Sequence, residues 1–296
     1  MPETVTAIVL NWNDYDGTAE CIKSLQKLEY ELLEILVVDN GSNDLSGRQI
    51  KSDFPSVNVL FNQENLGFGG GMNSGIKYAM ENNTDYIWVL NNDITIENEE
   101  TLGLLVNKLN RNEEAGAISP LIEEPNGDLW FAEGFIDTTT GESRHRVTNV
   151  GDLSSSQLEN DYIPACCTLF QSNMLKKVGL FDEDFFIYYD DVDHGIRARQ
   201  EGYTLITAAN CHIVHKGSAT SERTGGTIQP YYSARNRWIL TRKHSFNQVS
   251  FITDHIHWAI YYFFYYSYNK KFASAYALLL GMLDGLLGRV GKGRYP

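Results

Sequence analysis

The sequence predicts an α/β protein: a mostly parallel central sheet flanked by helices, followed by C-terminal aromatic, amphipathic helices. Three observations carry this. Short apolar strand runs alternate with helix-period segments over the first 120 residues, and parallel strands require such crossovers. Four polar clusters fall where strands end: Asn11-Trp12-Asn13, Asp39-Asn40, Asn62 to Asn73, and Asn91 to Asp93. Residues 246–296 then turn aromatic and Leu/Ala-rich with basic flanks.

The elements follow in order. Residues 5–10 read as a buried strand, and Ala19, Ile22, Leu25 and Leu28 share one face of a helix over 18–28. A strand at 34–38, a short helix at 45–53 and a strand at 57–61 come next. The Gly-rich turn 67–71 leads into a helix to about 81, then a strand at 86–90, a helix near 98–110 and a fifth strand at 116–119. Residues 123–160 are polar and rich in Gly, Thr and Ser, with short strands near 129–136, and read as an excursion from the sheet. Residues 162–171 return to the core. A helix from Asp190 to Gln200 stops at Gly202, 203–214 hold one or two short strands, and 229–245 form a helix.

Charge excludes one class of partner. The chain has 24 Lys and Arg against 38 Asp and Glu, a formal charge of -14. No basic footprint for nucleic acid is present. Cys166 and Cys167 are adjacent while Cys21 and Cys211 stand apart, so neither a disulfide scaffold nor a metal-ligand spacing is expected. Met1 to Thr4 run into a strand without a charged, apolar leader. The expected location is the cytoplasm, at the inner face of the cell membrane. The aromatic run 256–268 and the run 272–287 fall short of the roughly 20 apolar residues of a membrane span. They suit peripheral membrane contact, packing on the rest of the chain, or homo-oligomer formation.

Open parallel sheets bind ligands beyond the carboxyl ends of their strands, so the polar clusters are the candidate site. Asp39 suits a planar N–H or ribose hydroxyls, or else shapes its own turn. The acidic clusters at 90–93 and 188–193 together suggest an enzyme that holds a metal-bound diphosphate and takes a proton from an incoming hydroxyl. The glycines of 67–71 let backbone approach a ligand, and Asn73 reaches the diphosphate side or caps the helix. Asp93 suits Mg²⁺ or Mn²⁺ with phosphate and water completing an oxygen shell. His215 is a second candidate ligand, better matched to Mn²⁺. Asp190, Asp191 and Asp193 open a helix, where they either cap its N-terminus or supply chemistry; they cannot all point inward, and Asp191 is the expected general base. Arg197 or Arg199 can pair with one of these acids. Arg235 and Arg237 either face the diphosphate or lie on a surface helix face.

Together, Ile8 to Asn13, Val37 to Ser42, Asn65 to Gly75, Val89 to Asp93, Gly179 to Arg197, His215-Lys216-Gly217 and Tyr232 to Arg237 carry a resemblance. Over about residues 4–245 the chain resembles a family 2 glycosyltransferase of the GT-A fold. Within that family it looks like the rhamnosyltransferase-like branch that builds surface polysaccharides and protein-linked glycans. The resemblance implies a catalytic domain over 1–245, with a nucleotide-binding half to about 120 and an acceptor-binding half from about 121. Residues 246–296 are then a membrane-associating or oligomerising segment.

The same resemblance implies an inverting transfer from a dTDP, UDP or GDP sugar to a glycan or lipid-linked saccharide. Asp39 would read the base, and Asn11, Asn13, Asn65, Asn73, Asn91, Asn92 and Arg235 would line the nucleotide-sugar site. Asp93 and His215 would hold Mg²⁺ or Mn²⁺, Asp191 would deprotonate the acceptor, and Asp190 and Tyr189 would touch it. Two departures stand out: Asn91 replaces the first acid of the family's Asp-x-Asp, and Asp190 stands where Glu is usual. The alternatives are a sugar-phosphate nucleotidyltransferase and a non-catalytic glycan-binding protein with a transferase-like fold. The first wants a basic, Gly-rich loop where this chain has Asn11-Trp12-Asn13-Asp14; intact Asp39, Asp93 and Asp191 argue against the second. A dehydrogenase lacks its dinucleotide fingerprint.

Overall fold

Strand β1 (Val5–Asn11) lies between two parallel neighbours, β2 (Leu33–Asp39) and β4 (Tyr86–Asn91), and β3 (Asn58–Phe61) extends the parallel block beyond β2. The structure is a computed structural model that describes residues 3–146, 157–217 and 226–295. The crossovers are α1 (Tyr15–Leu25), α2 (Ser46–Asp53) and α3 (Gly67–Glu81). Helix α1 starts three residues before the apolar period suggests, because Asp14 caps it by accepting from Gly17 N. Helix α3 lies close on the sheet. A Cβ at Gly75 would sit 2.6 Å from Ile8 Cγ2, and one at Gly71 would sit 2.6 Å from Leu10 Cδ1.

The other half of the sheet is mixed. After β5 (Ile94–Thr95) and α4 (Thr101–Asn110) comes β6 (Ala115–Glu123), longer than the strand expected at 116–119. β6 does not join β4 directly. β11 (Cys167–Gln171) runs antiparallel between them, so a strand from late in the chain sits mid-sheet. The 203–214 region is one strand, β12 (Thr204–His215), parallel to β6 with an irregularity between Ala208 and His212. The order is β10-β12-β6-β11-β4-β1-β2-β3, with β10 at Gln157–Asn160. The polar excursion contributes β7 (Leu129–Phe131), which pairs with β6, and a separate hairpin of β8 (Glu133–Asp137) and β9 (Glu142–Arg146). Ile8, Val37, Trp88, Val89 and Leu169 are fully buried in the main core, each side chain contributing about 1.5–3 kcal/mol.

Helix α5 (Ser172–Val178) and a 3₁₀ turn (Glu183–Phe185) lead to α6 (Asp190–Gln200). Three helices close the chain: α7 (Ile228–Lys243), α8 (Gln248–Tyr268) and α9 (Phe272–Leu286). Almost all of α7 is buried, including Arg235 and Arg237, which corrects the surface-face reading. Helix α9 reaches α7 through glycines: a Cβ at Gly281 would meet Tyr231 O at 2.1 Å, and one at Gly285 would meet Trp238 Cδ1 at 2.4 Å. No helix among the described residues is long and apolar enough to cross a membrane.

Candidate active site

The carboxyl ends of β1, β2 and β4 lie side by side, with Asn11 opposite Asp39 and Leu10 opposite Asn91. Above them opens a cleft of about 810 Å³, the size of a small-molecule site. Of the predicted residues, Asn65, Asn91, Asn92, Tyr189, Asp190, Asp191 and His215 line it. Asn11 and Asp39 lie just beneath. Asn11 Nδ2 donates to Asp39 Oδ2 at 2.8 Å, and Ser42 N donates to Asp39 Oδ1 at 3.0 Å. Asn13 Oδ1 accepts from Asn43 N at 2.8 Å, and Asn13 N donates to Ser42 Oγ at 2.9 Å. These groups brace the floor of the cleft. Asn92 is fixed by its amide, which donates to Asp14 Oδ2 at 2.9 Å and Thr18 Oγ1 at 3.2 Å.

Strand β12 brings His215 back beside Asp93, since β12 pairs with β5 through His215 and Ile94. His215 Nε2 is 3.1 Å from Asp93 Oδ1, with both side chains largely buried. Neither atom has a hydrogen bond of good geometry among the described residues. A buried imidazole nitrogen and a buried carboxylate oxygen converging on one point fit a divalent cation such as Mn²⁺ or Mg²⁺. No cluster of three or more His, Cys, Asp or Glu that could hold a metal occurs among the described residues. A cation here would depend on Asp93, His215 and oxygens from a ligand or water.

The acidic pair stands across the cleft at the start of α6. Asp191 Oδ1 accepts from Val192 N at 2.8 Å, and Oδ2 from Ala165 N at 3.4 Å. Burial pushes its carboxyl up to about 6, against the lowering effect of those backbone N–H groups. Asp190 is more deeply buried, 3% exposed, with Oδ2 unpartnered among the described residues. Burial first, and the neighbouring Asp191 charge second, push Asp190 well above the ordinary range. Both carboxyls are thus held above the ordinary range, by burial first. Asp193 turns the other way, into Arg197 at 2.8 Å, Lys243 at 2.9 Å and His244 at 2.8 Å.

The approach to this pair is strained. Phe186, Tyr188 and Tyr189 all have φ between 65° and 68°, left-handed values unusual for bulky residues. At about 1–3 kcal/mol each, such conformations persist only where the surroundings over-determine them. Gly67, at φ 78°, permits the crossing of α3 and this loop, because a Cβ there would sit 2.2 Å from Phe186 O.

The sequence profile of glycosyl transferase family 2 matches residues 6–179. The chain belongs to that family. It is 23% identical to the low-salt glycan biosynthesis hexosyltransferase Agl10 of Haloferax volcanii, over 99% of this chain and 94% of that protein. It is 24% identical to the dTDP-rhamnosyl transferase RfbF of Shigella flexneri, over 100% and 99%. It is 22% identical to the N-acetylglucosaminyl-diphospho-decaprenol L-rhamnosyltransferase of Mycobacterium tuberculosis, over 75% and 79%. Among solved structures, the mannosyltransferase PcManGT of Pyrobaculum calidifontis, in complex with GDP-Man and Mn²⁺, matches with TM-score 0.59 at 15% identity, over 98% of this chain and 88% of that one. GalNAc-T7 with UDP, GalNAc and Mn²⁺ matches with TM-score 0.60 at 14% identity, over 88% of this chain and 57% of that one. The fold of this family 2 glycosyltransferase is therefore GT-A-like, as expected.

Three basic or polar residues of this transferase lie elsewhere than the sequence suggests. Arg235 does not reach the cleft: it is fully buried, with Nη2 donating to Phe185 O at 2.8 Å and Nη1 to Gly291 O at 2.6 Å. Tyr231 and Tyr232 of α7 and the returning tail enclose it. Arg237 joins α7 to α8 through Asp254 at 2.7 Å. Asn73 faces the 3₁₀ turn instead of a ligand, donating to Phe181 O and Glu183 Oε1, both at 2.9 Å.

Other lining residues had no role assigned from the sequence. Asn40 is a hub whose amide donates to Gly67 O at 2.8 Å and whose carbonyl accepts from Asn62 at 3.0 Å and Leu66 N at 3.2 Å. Trp130, His145 and Tyr162 form an aromatic wall, with Trp130 edge-on to His145 at 4.8 Å and to His215 at 5.2 Å. Burial lowers the His145 pKa, so its ring is neutral. The sole sequence signal was an aromatic pair, Trp130-Phe131, in an otherwise polar stretch.

Proposed function

We propose that this family 2 transferase is inverting and cation-dependent, and that it moves rhamnose from a dTDP donor to a hydroxyl of a glycan or lipid-linked saccharide. The observation that carries the reading is the shared cleft: Asp191, held at about 6, faces the cavity that His215 lines beside Asp93. A base near this value is mostly ionised at neutral pH yet still able to take a proton. Asp191 accepts the acceptor's hydroxyl proton as that oxygen attacks C1 from the side opposite the diphosphate. The C1–diphosphate bond breaks, the anomeric centre inverts, and no covalent sugar–enzyme intermediate forms. Mg²⁺ or Mn²⁺ on Asp93 and His215 would offset charge on the leaving diphosphate. The two rhamnosyltransferases among the relatives support the donor, and the Mn²⁺ complexes of the two solved structures support the cation.

In this reading the strand ends of residues 1–120 hold the nucleotide, with Asp39, Asn11 and Asn13 shaping the base side and Asn65, Asn91 and Asn92 facing the sugar diphosphate. Residues 121–245 supply the acceptor side, where Tyr189, Asp190 and the Trp130–His145–Tyr162 wall meet the incoming sugar. Residues 246–296 bring the enzyme to a membrane surface. Exposed Ile256, Ile260, Tyr261, Phe264, Phe272 and Tyr276 support this last point, as do five basic residues against two acids in that segment of a chain of charge -14.

Thermal unfolding of the full chain with dTDP-, UDP- and GDP-sugars, each with Mn²⁺, Mg²⁺ or chelator, tests the site. One donor should stabilise only with the cation, by about 2.7 kcal/mol at a hundred times its Kd. No stabilisation by any nucleotide sugar would refute the reading.

A further inference from the structure

We propose that Arg235 and Asn236, buried on α7, are positioning residues that hold the backbone of 184–188 and thereby set Asp190 and Asp191 in the cleft. The proposal rests on the transferase reading for its consequence, and on geometry for its substance.

Between the 3₁₀ turn Glu183–Phe185 and α6, the segment before the acidic pair has no regular structure to hold it. Its carbonyls point inward and must be satisfied there. Asn236 Nδ2 lies 2.9 Å from Phe185 O, 2.8 Å from Ile187 O and 2.8 Å from Tyr188 O. Arg235 Nη2 adds bonds to Phe185 O at 2.8 Å and Asp184 O at 3.3 Å. Arg235 Nε donates to Asn236 Oδ1 at 2.9 Å, which orients the amide so that its N–H groups face the loop. Both side chains are 0% exposed. Two adjacent side chains thus serve four carbonyls of one strained turn, the arrangement needed to over-determine a left-handed run.

The same pair is itself braced. The Arg235 guanidinium lies 4.6 Å over the Tyr232 ring, and Tyr232 stacks on Phe186 at 5.2 Å and 19°. The tail after α9 completes the clamp: Gly291 O accepts from Arg235, and Gly291 N donates to Asp184 O at 2.6 Å. Tyr189 then leads directly into α6, its carbonyl accepting from Asp193 N at 2.9 Å. Any slack in 184–188 is passed to the first turn of α6, where the acids sit.

Hydrogen exchange on full-length wild type and Asn236→Ala reads the loop without a substrate. Amides of 183–193 should exchange at least tenfold faster in the variant, with those of β1 and β4 unchanged. Turnover of dTDP-rhamnose, UDP-glucose and GDP-mannose, with water as the acceptor and with added N-acetylglucosaminyl-diphospho-lipid as a saccharide acceptor, reads the consequence. For the donor that wild type uses, kcat should fall about 100-fold while its KM stays within threefold. The acid limb of kcat should move to lower pH as water reaches Asp191. If Asn236→Ala does not fold, Arg235→Lys keeps the amide and one donor, and should lower kcat five- to tenfold with the same KM. Unchanged exchange in 183–193 overturns the proposal, and so does faster exchange with kcat within threefold of wild type. A wild type that turns over none of the three sugars counts against the transferase reading; exchange alone then decides whether the two side chains hold the loop.

Discussion

Replacing Asp191 with Asn should cost activity and increase stability, and both effects follow from one environment. A carboxyl held at about 6 in place of its ordinary 3.8 destabilises the folded, ionised form by at most about 3 kcal/mol. Its partial exposure and its Val192 and Ala165 hydrogen bonds reduce the gain, leaving about 1–3 kcal/mol for the neutral amide. That is a rise in melting temperature of about 2–6 °C for a chain of this size. The wild-type carboxyl's favourable contribution is fully present below pH 3.8 and lost as pH rises through about 6. The advantage of Asp191→Asn should therefore be absent near pH 4 and complete above pH 7. Activity moves the other way. Loss of a general base lowers kcat by about 10²–10⁴, equivalent to about 3–5 kcal/mol of barrier. Wild-type kcat should drop about tenfold from pH 7 to pH 5 as the base is protonated. Calorimetry between pH 4 and 8, with single-turnover transfer over the same range, measures both. A variant within tenfold of wild-type kcat, or one less stable at pH 7, would refute the assignment.

Asp93→Asn and His215→Ala should each raise the Mn²⁺ concentration needed for nucleotide-sugar stabilisation at least tenfold, measured by thermal shift. Asp193→Ala should lose about 3 kcal/mol of stability, because it removes the buried carboxylate shared by Arg197, Lys243 and His244, although Lys243 keeps Asp182 and Arg197 keeps the Val178 and Leu180 carbonyls. Burial would raise the Asp193 carboxyl, but the His244 hydrogen bond and the Arg197 and Lys243 charges outweigh it and hold it well below 3.8. Its stabilisation is thus present above pH 3.8 and lost as pH falls through the depressed value, so acid unfolding of Asp193→Ala should show a weaker pH dependence. Replacing Tyr261, Phe264 and Tyr265 together with Ser should abolish co-sedimentation with anionic vesicles; unchanged sedimentation, or a switch from dimer to monomer in light scattering, would sink membrane docking. Truncation is a poor test, because α9 packs on α7 and the tail contacts Arg235.

Much of the site was legible because strand ends carry their own punctuation. Asn11, Asp39 and Asn91 each follow four or more apolar residues, and a parallel sheet places such ends at one edge. Asp93 and His215, far apart in sequence, were paired as candidates through residue chemistry, and the structure sets them 3.1 Å apart. Arg235 was misassigned for a physical reason. A guanidinium suits a diphosphate and a set of loop carbonyls equally well, and only packing reveals which is near. Asn40 was placed in a strand-end cluster but given no role, and Trp130 was missed because an aromatic in a polar stretch has no distinctive spacing.

The sequence by itself determined the alternation of strands and helices, the polar carboxyl edge and the acidic opening of α6, because these depend on local periodicity and residue type. Tertiary structure decided the rest: β11 between β4 and β6, His215 beside Asp93, and the fates of Asp190, Asp191 and Asp193. Those three acids share one chemistry and one helical turn. Only the burial and partners brought from distant segments raise the pKa of one well above the ordinary range, raise the second to about 6 and make the third an ion-pair anchor.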